Sequence, residues 1–140
     1  MADFFDELVF SQDDIITFPE GIPGFEGRRP FVVVATPQFD PFAWLVCVDG
    51  SRLRFAIINP LIFVPDYSPK LPKDLFTESD IGGNPNDLVL YTIVTLRENP
   101  LESTANLAAP IFINKVKKRG RQIITDDERY STQELIVRQT

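Results

Sequence analysis

The chain has 140 residues, 44% of them apolar, a formal net charge of −6, one cysteine and no histidine. Without histidine there is no Ser-His-Asp or Cys-His catalysis and no His-ligated zinc, and a single thiol makes neither an internal disulfide nor a thiolate cluster. The surplus of acid opposes binding to nucleic acid or to anionic lipid and favours a basic protein as partner.

Length and composition predict one domain over residues 1–140. Residues 1–7 carry neither the basic region nor the apolar core of a signal peptide, and every apolar run is strand-length, so a reducing cytoplasmic setting is expected. Glu7-Leu8-Val9-Phe10 reads as a short strand, followed by a turn at Gln12-Asp13-Asp14 and a strand at Ile15-Ile16-Thr17-Phe18. Residues 18–26, Phe-Pro-Glu-Gly-Ile-Pro-Gly-Phe-Glu, hold two prolines, two glycines and two phenylalanines. Proline fixes φ and glycine allows positive φ, so this segment can hold a defined bend without ladder hydrogen bonds. Its two aromatic rings either anchor it to the core or stay exposed for a partner.

Residues 31–36 form the next strand, and residues 42–48 the one after. On the latter, Phe42, Trp44, Val46 and Val48 share one face while Ala43, Leu45 and Cys47 share the other. Apolar residues on both faces fit a closed barrel or a sheet covered on both sides, with Trp44 and Cys47 in the core. Asp49-Gly50 predicts a tight hairpin returning through residues 53–58, and Asn59-Pro60 ends that strand. Pro72-Lys73-Asp74-Leu75-Phe76-Thr77-Glu78 suits a short helix within the long connection 65–87, stopped by Gly82-Gly83-Asn84-Pro85. Residues 88–96 make the longest strand. Residues 111–114 and 121–125 then form a hairpin around Lys118-Arg119-Gly120, and Leu135-Ile136-Val137 can add an edge strand. The fold class is all-β: a small antiparallel barrel-like domain with one short helix in a long loop.

Paired carboxylates are the one catalytic device left. Glu20, Glu26 and Asp66 lie in loops, yet a barrel this small fills its own interior and leaves no sugar-sized cleft between two acids. No loop has the spacing of a calcium site. Neither enzymatic activity, a metal nor a cofactor is expected. Lys115, Lys117, Lys118, Arg119 and Arg121 place five cations within seven residues, which reads as a solvated hairpin tip that deters edge pairing. Phe63 and Tyr67 flank Asp66 on a loop, a pattern that can grip an amphipathic basic helix or fold back as a lid on the core.

Residues 15–26 (Ile-Ile-Thr-Phe-Pro-Glu-Gly-Ile-Pro-Gly-Phe-Glu) and Phe42-Ala43-Trp44-Leu45 resemble the bacterial flagellar assembly factor family, FliW. So do Ile58-Asn59-Pro60, Phe63-Val64-Pro65-Asp66-Tyr67, residues 104–111 (Thr-Ala-Asn-Leu-Ala-Ala-Pro-Ile) and Tyr130-Ser131-Thr132, all in matching order. The chain departs from the family pattern at Asp6, at Asp49-Gly50-Ser51 and after Thr132. The resemblance implies a cytoplasmic β-barrel that binds the RNA-binding translational repressor CsrA, relieving repression of flagellin mRNA. It also implies binding of flagellin through its C-terminal helical region, while the net charge argues against direct contact with nucleic acid or membrane. Partner contacts are then expected at Glu20, Phe25, Phe63, Asp66, Tyr67 and Asn106. The rival reading is a barrel enclosing a small apolar ligand, which an empty interior of several hundred Å³ would favour.

Overall fold

A computed structural model describes residues 4–77 and 81–136. Nine strands form one sheet: β1 (Ile16–Thr17), β2 (Pro30–Val34), β3 (Phe42–Cys47), β4 (Arg54–Ile58), β5 (Leu88–Thr95), β6 (Thr104–Ala105), β7 (Ile111–Asn114), β8 (Arg119–Gln122) and β9 (Glu134–Leu135). The order β4-β3-β2-β1-β8-β7-β5 closes on itself because β5 also pairs with β4, through Ala56↔Val94, Ile57↔Ile93 and Ile58↔Thr92. Seven strands thus make a closed barrel, and β6 and β9 extend the sheet from the far end of β5. All pairings are antiparallel except β1 with β8, which meet in parallel at the single pair Thr17↔Arg119.

Alternation sorts the side chains. Phe18, Phe31, Ala43, Leu45, Cys47, Ile57, Ile111 and Ile113 fill the barrel interior. Cys47 is buried as expected, and burial pushes its thiol pKa up, so it packs as a small hydrophobe. Outside the barrel, Ala56, Ile58, Val94, Ala105 and Leu107 lie under Phe63 and Tyr67. Leu75 and Ile81 cover Phe112 and Ile123. The two apolar faces of β3 therefore have different fates, with Leu45 inside and Trp44 outside. Trp44 is only partly buried, a correction to its placement in the core. Its ring stacks on Phe39 with centroids 4.7 Å apart, and the Arg54 guanidinium lies 4.1 Å from it.

Three other local expectations change. Residues 7–10 form no strand: Glu7 lies in a turn, residues 8–10 make no ladder, and Val9 is 93% exposed. The segment from Pro72 is a run of turns, with Leu75 N–H on the Pro72 carbonyl and Thr77 N–H on that of Asp74. So short a helix needs a long apolar stripe to hold it, and here Leu75 and Phe76 alone are anchored; Glu78 lies outside the described residues. Among the described residues the helical elements are all 3₁₀ turns. Three of them start at Asn-Pro, where Asn59, Asn84 and Asn99 each accept the N–H two residues on at 3.0 Å.

The third change is the β7–β8 turn, which falls at residues 115–118 and not around Gly120. Buried Asn114 sets it, its Oδ1 accepting the N–H groups of Val116 (3.1 Å) and Lys117 (2.9 Å). Lys118 takes the positive φ of 57°. The β3–β4 hairpin forms as expected around Gly50 (φ 88°), with a wider turn spanning residues 48–53. Leu135 joins the edge strand β9 as expected, while Val137 lies outside the described residues.

Candidate functional site

The loop of residues 18–26 carries the site, and its two aromatic residues take opposite roles. Phe18 is fully buried and meets Phe31 edge-on at 5.1 Å. The chain then doubles back twice, with Gly21 N–H on the Phe18 carbonyl (2.8 Å) and Phe25 N–H on the Ile22 carbonyl (2.6 Å). Gly21 has φ 68°, and a Cβ there would sit 2.5 Å from the Glu26 backbone, so no other residue fits. Glu26 steadies the bend by accepting the Gly24 N–H at 3.1 Å, a bond that lowers its carboxyl pKa. The result projects Phe25 outward, 41% exposed, with its ring 5.4 Å from that of Phe55.

Phe25 stands over a cleft of about 420 Å³ at one mouth of the barrel. Ile22, Phe55, Ile93 and Ala109 supply its apolar lining, and Asn106, Gln122, Thr132 and Gln133 the polar part. Ile124, 70% exposed, lines it too. Asn106 is held in place by accepting the Ala108 N–H at 3.2 Å. Glu20 is exposed and pairs with Arg121 Nε at 3.0 Å, linking the loop to β8.

Phe63, Asp66 and Tyr67 are elsewhere. Asp66 is exposed and lines a second recess of about 480 Å³ with Val64, Leu107, Arg129, Tyr130 and Glu134. Tyr67 is buried and donates its hydroxyl to the Leu107 carbonyl at 2.6 Å, so it acts as a strut beneath the loop. Phe63 is half-buried against the same cluster. Both fold back as a lid, leaving Asp66 the outward group. Asp127 anchors this region: Arg129 Nη2 lies at 2.8 Å and the Lys70 N–H at 3.0 Å, and together they hold the carboxyl well below the usual carboxylate range.

The two recesses share a wall. Asn106 lines the cleft and Leu107 the second recess, while Gln133 lines the cleft and Glu134 the second recess. Of the expected contacts, the cleft thus gathers Phe25 and Asn106, with Glu20 bonded to Arg121 beside Gln122; Phe63, Asp66 and Tyr67 cluster at the other recess. Sequence reading missed Phe55, Ile93, Gln122 and Ile124. Phe55, Ile93 and Ile124 read as ordinary strand hydrophobics and Gln122 as a solvated strand residue until barrel closure places them at the mouth.

Among the described residues no three His, Cys, Asp or Glu side chains converge as metal ligands. No helix there is long and apolar enough to cross a membrane. A small β-barrel filled by its own side chains, with an apolar cleft open at its mouth, is the class of protein that these features define. The chain matches the family described as "FliW protein" over residues 2–136. It is 40% identical over 134 residues to "Flagellar assembly factor FliW" of Alkaliphilus metalliredigens, covering 95% of this chain and 82% of that one. It is 31% identical over 141 residues to the protein so described from Moorella thermoacetica, covering 100% of this chain and 89% of the relative. A solved structure, "Crystal structure of the flagellar assembly factor FliW", superposes with a TM-score of 0.86 at 32% identity, covering 95% of this chain and 92% of that one. The chain belongs to the FliW family of flagellar assembly factors.

Proposed function

We propose that this chain works in the cytoplasm as a protein-binding regulator of flagellar assembly and catalyses no reaction. In this reading it binds the translational repressor CsrA, relieving repression of flagellin mRNA, and binds flagellin through flagellin's C-terminal helical region. The observation that carries the reading is the exposed Phe25 beside an open apolar cleft, on a barrel of this family whose interior is already filled. An amphipathic helix presents apolar side chains at the spacing of one helical face, and such a cleft takes one or two of them. The net charge of −6 steers a basic RNA-binding partner, most strongly at low salt.

The rival, a barrel enclosing a small apolar molecule, needs an interior that Phe18, Phe31 and Leu45 already fill; the 420 Å³ recess lies at the surface. Titration calorimetry of the purified chain with monomeric flagellin and, separately, with CsrA tests the proposal. Saturable binding of one or both is expected. Absence of heat and of co-elution with either protein would remove it.

A further inference from the structure

The barrel seam between β1 and β8 is closed at one point only. There the Thr17 N–H donates to the Lys118 carbonyl at 3.0 Å. Thr17↔Arg119 is the single β1–β8 pair, and the next residue continues the register with β2, the Phe18 N–H donating to the Arg29 carbonyl at 2.8 Å. Among the described residues β8 runs on without a strand partner on that side, while its other side stays bonded to β7 and the residues leading into it.

The direction of the free groups follows from the bonds that are made. Ile123 N–H donates to the Pro110 carbonyl (2.9 Å) and Thr125 N–H to the Ala108 carbonyl (2.8 Å). In an antiparallel pair bonded groups alternate, so the residues between them, Gln122 and Ile124, aim their N–H and C=O away from β7. Gln122 pairs with Ile111 in the register this requires. Two donors and two acceptors therefore project in a row from the open edge. Both residues also line the cleft, together with Ile22, Pro23 and Phe25.

A helix satisfies its own backbone and would leave these four groups unpaired, whereas an extended chain pairs all of them. The near end of this edge is the hairpin tip with exposed Lys115, Lys117 and Arg119. A strand spans about 3.3 Å per residue, so Arg119, three positions from Gln122, lies about one Debye length away, with the two lysines farther along the tip. We infer that the open edge at Gln122 and Ile124 is a site of β-strand addition. Its occupant is an extended segment of a partner protein, apolar at alternate positions and acidic at the end facing the hairpin tip. The segment lies between β8 and the 22–25 loop and turns its apolar side chains into the cleft. Antiparallel pairing, the more stable arrangement per residue, puts the acidic end at its C-terminus. This holds whichever protein supplies the segment, and the flagellin helix proposed above could fill the apolar cleft without using these groups. Failure of strand addition therefore leaves that proposal standing.

The test is amide exchange followed by NMR on the full chain, with the acetylated, amidated peptide Val-Thr-Val-Thr-Asp-Glu as probe. At millimolar peptide the Gln122 and Ile124 amides are expected to exchange about tenfold more slowly, while Ile123 and Thr125, already bonded, change little. The peptide with Lys-Lys in place of Asp-Glu is expected to bind more weakly. Ile124→Pro removes an edge donor that the native fold leaves unused and should weaken the probe about tenfold, while Ile124→Val binds as the parent does. Unchanged exchange at Gln122 and Ile124 under saturating probe would overturn the inference. So would a concentration-dependent dimer whose formation protects the same two amides, because the occupant would then be a second copy.

Discussion

Gly120 and Phe18 occupy one another's space: a Cβ on Gly120 would come within 2.4 Å of Phe18 Cζ. The glycine in β8 is thus a packing device that lets the Phe18 ring lie against the strand backbone beside the barrel seam. Phe18 is fully buried against Phe31 and has no room to retreat. Gly120→Ala should therefore cost about 2 kcal/mol by overpacking, lowering Tm by roughly 6 °C in a chain of this size. Scanning calorimetry reads this directly. An unchanged Tm would mean that the ring moves freely, against the packing described.

The two phenylalanines of the 18–26 loop should separate stability from binding. Phe18→Ala removes a fully buried ring and should cost about 3–5 kcal/mol of unfolding free energy in urea titrations. Phe25→Ala removes a half-exposed ring resting on Phe55 and should cost under about 1 kcal/mol, yet weaken flagellin or CsrA binding about tenfold or more. Equal binding by Phe25→Ala and the parent would detach the cleft from function.

Asp66 and Tyr67 are neighbours with opposite consequences. Tyr67→Phe leaves the buried Leu107 carbonyl without its donor and should destabilise by about 1–3 kcal/mol, measured by thermal or urea unfolding. Asp66→Lys changes an exposed charge on the second recess. It should leave Tm nearly unchanged and weaken a basic partner, an effect that shrinks as salt rises. Unaltered affinity at low salt would remove Asp66 from the contact surface.

Acid should loosen the 127–130 region first. The folded-state pKa of Asp127 is depressed by Arg129 and by the Lys70 N–H, so its contribution to stability is present above the unfolded carboxylate pKa. It is lost progressively as pH falls from about 4 toward the folded value. Asp49, depressed by Ser51 and Arg28, adds to the same acid limb. Urea midpoints between pH 7 and pH 3 should fall less steeply for Asp127→Asn than for the parent, with the Asp49 part retained. Parallel slopes would show that Asp127 titrates alike in folded and unfolded chains.

Much of the barrel was legible because strand periodicity is local. The alternation on residues 42–48 correctly predicted two apolar faces, and residues 88–96 correctly gave the longest strand. What was not legible depends on closure. Nothing local tells Leu45, which faces the interior, from Trp44, which faces out onto Phe39 and Arg54. Gly120 reads as a turn glycine because its constraint comes from Phe18, about a hundred residues earlier. The prominence of residues 18–26 was legible from their proline and glycine pattern. The cleft beside them was not, because Phe55, Ile93 and Ile124 reach it from three separate parts of the chain.

The most direct test of a protein-binding cleft at the barrel mouth is a spectrum of the isotope-labelled chain before and after adding unlabelled monomeric flagellin. Shift changes should concentrate at Phe25, Phe55, Asn106 and Ile124, leaving interior signals such as Leu45 and Ile57 in place. Shifts confined to the opposite mouth, or none at saturating flagellin, would contradict it.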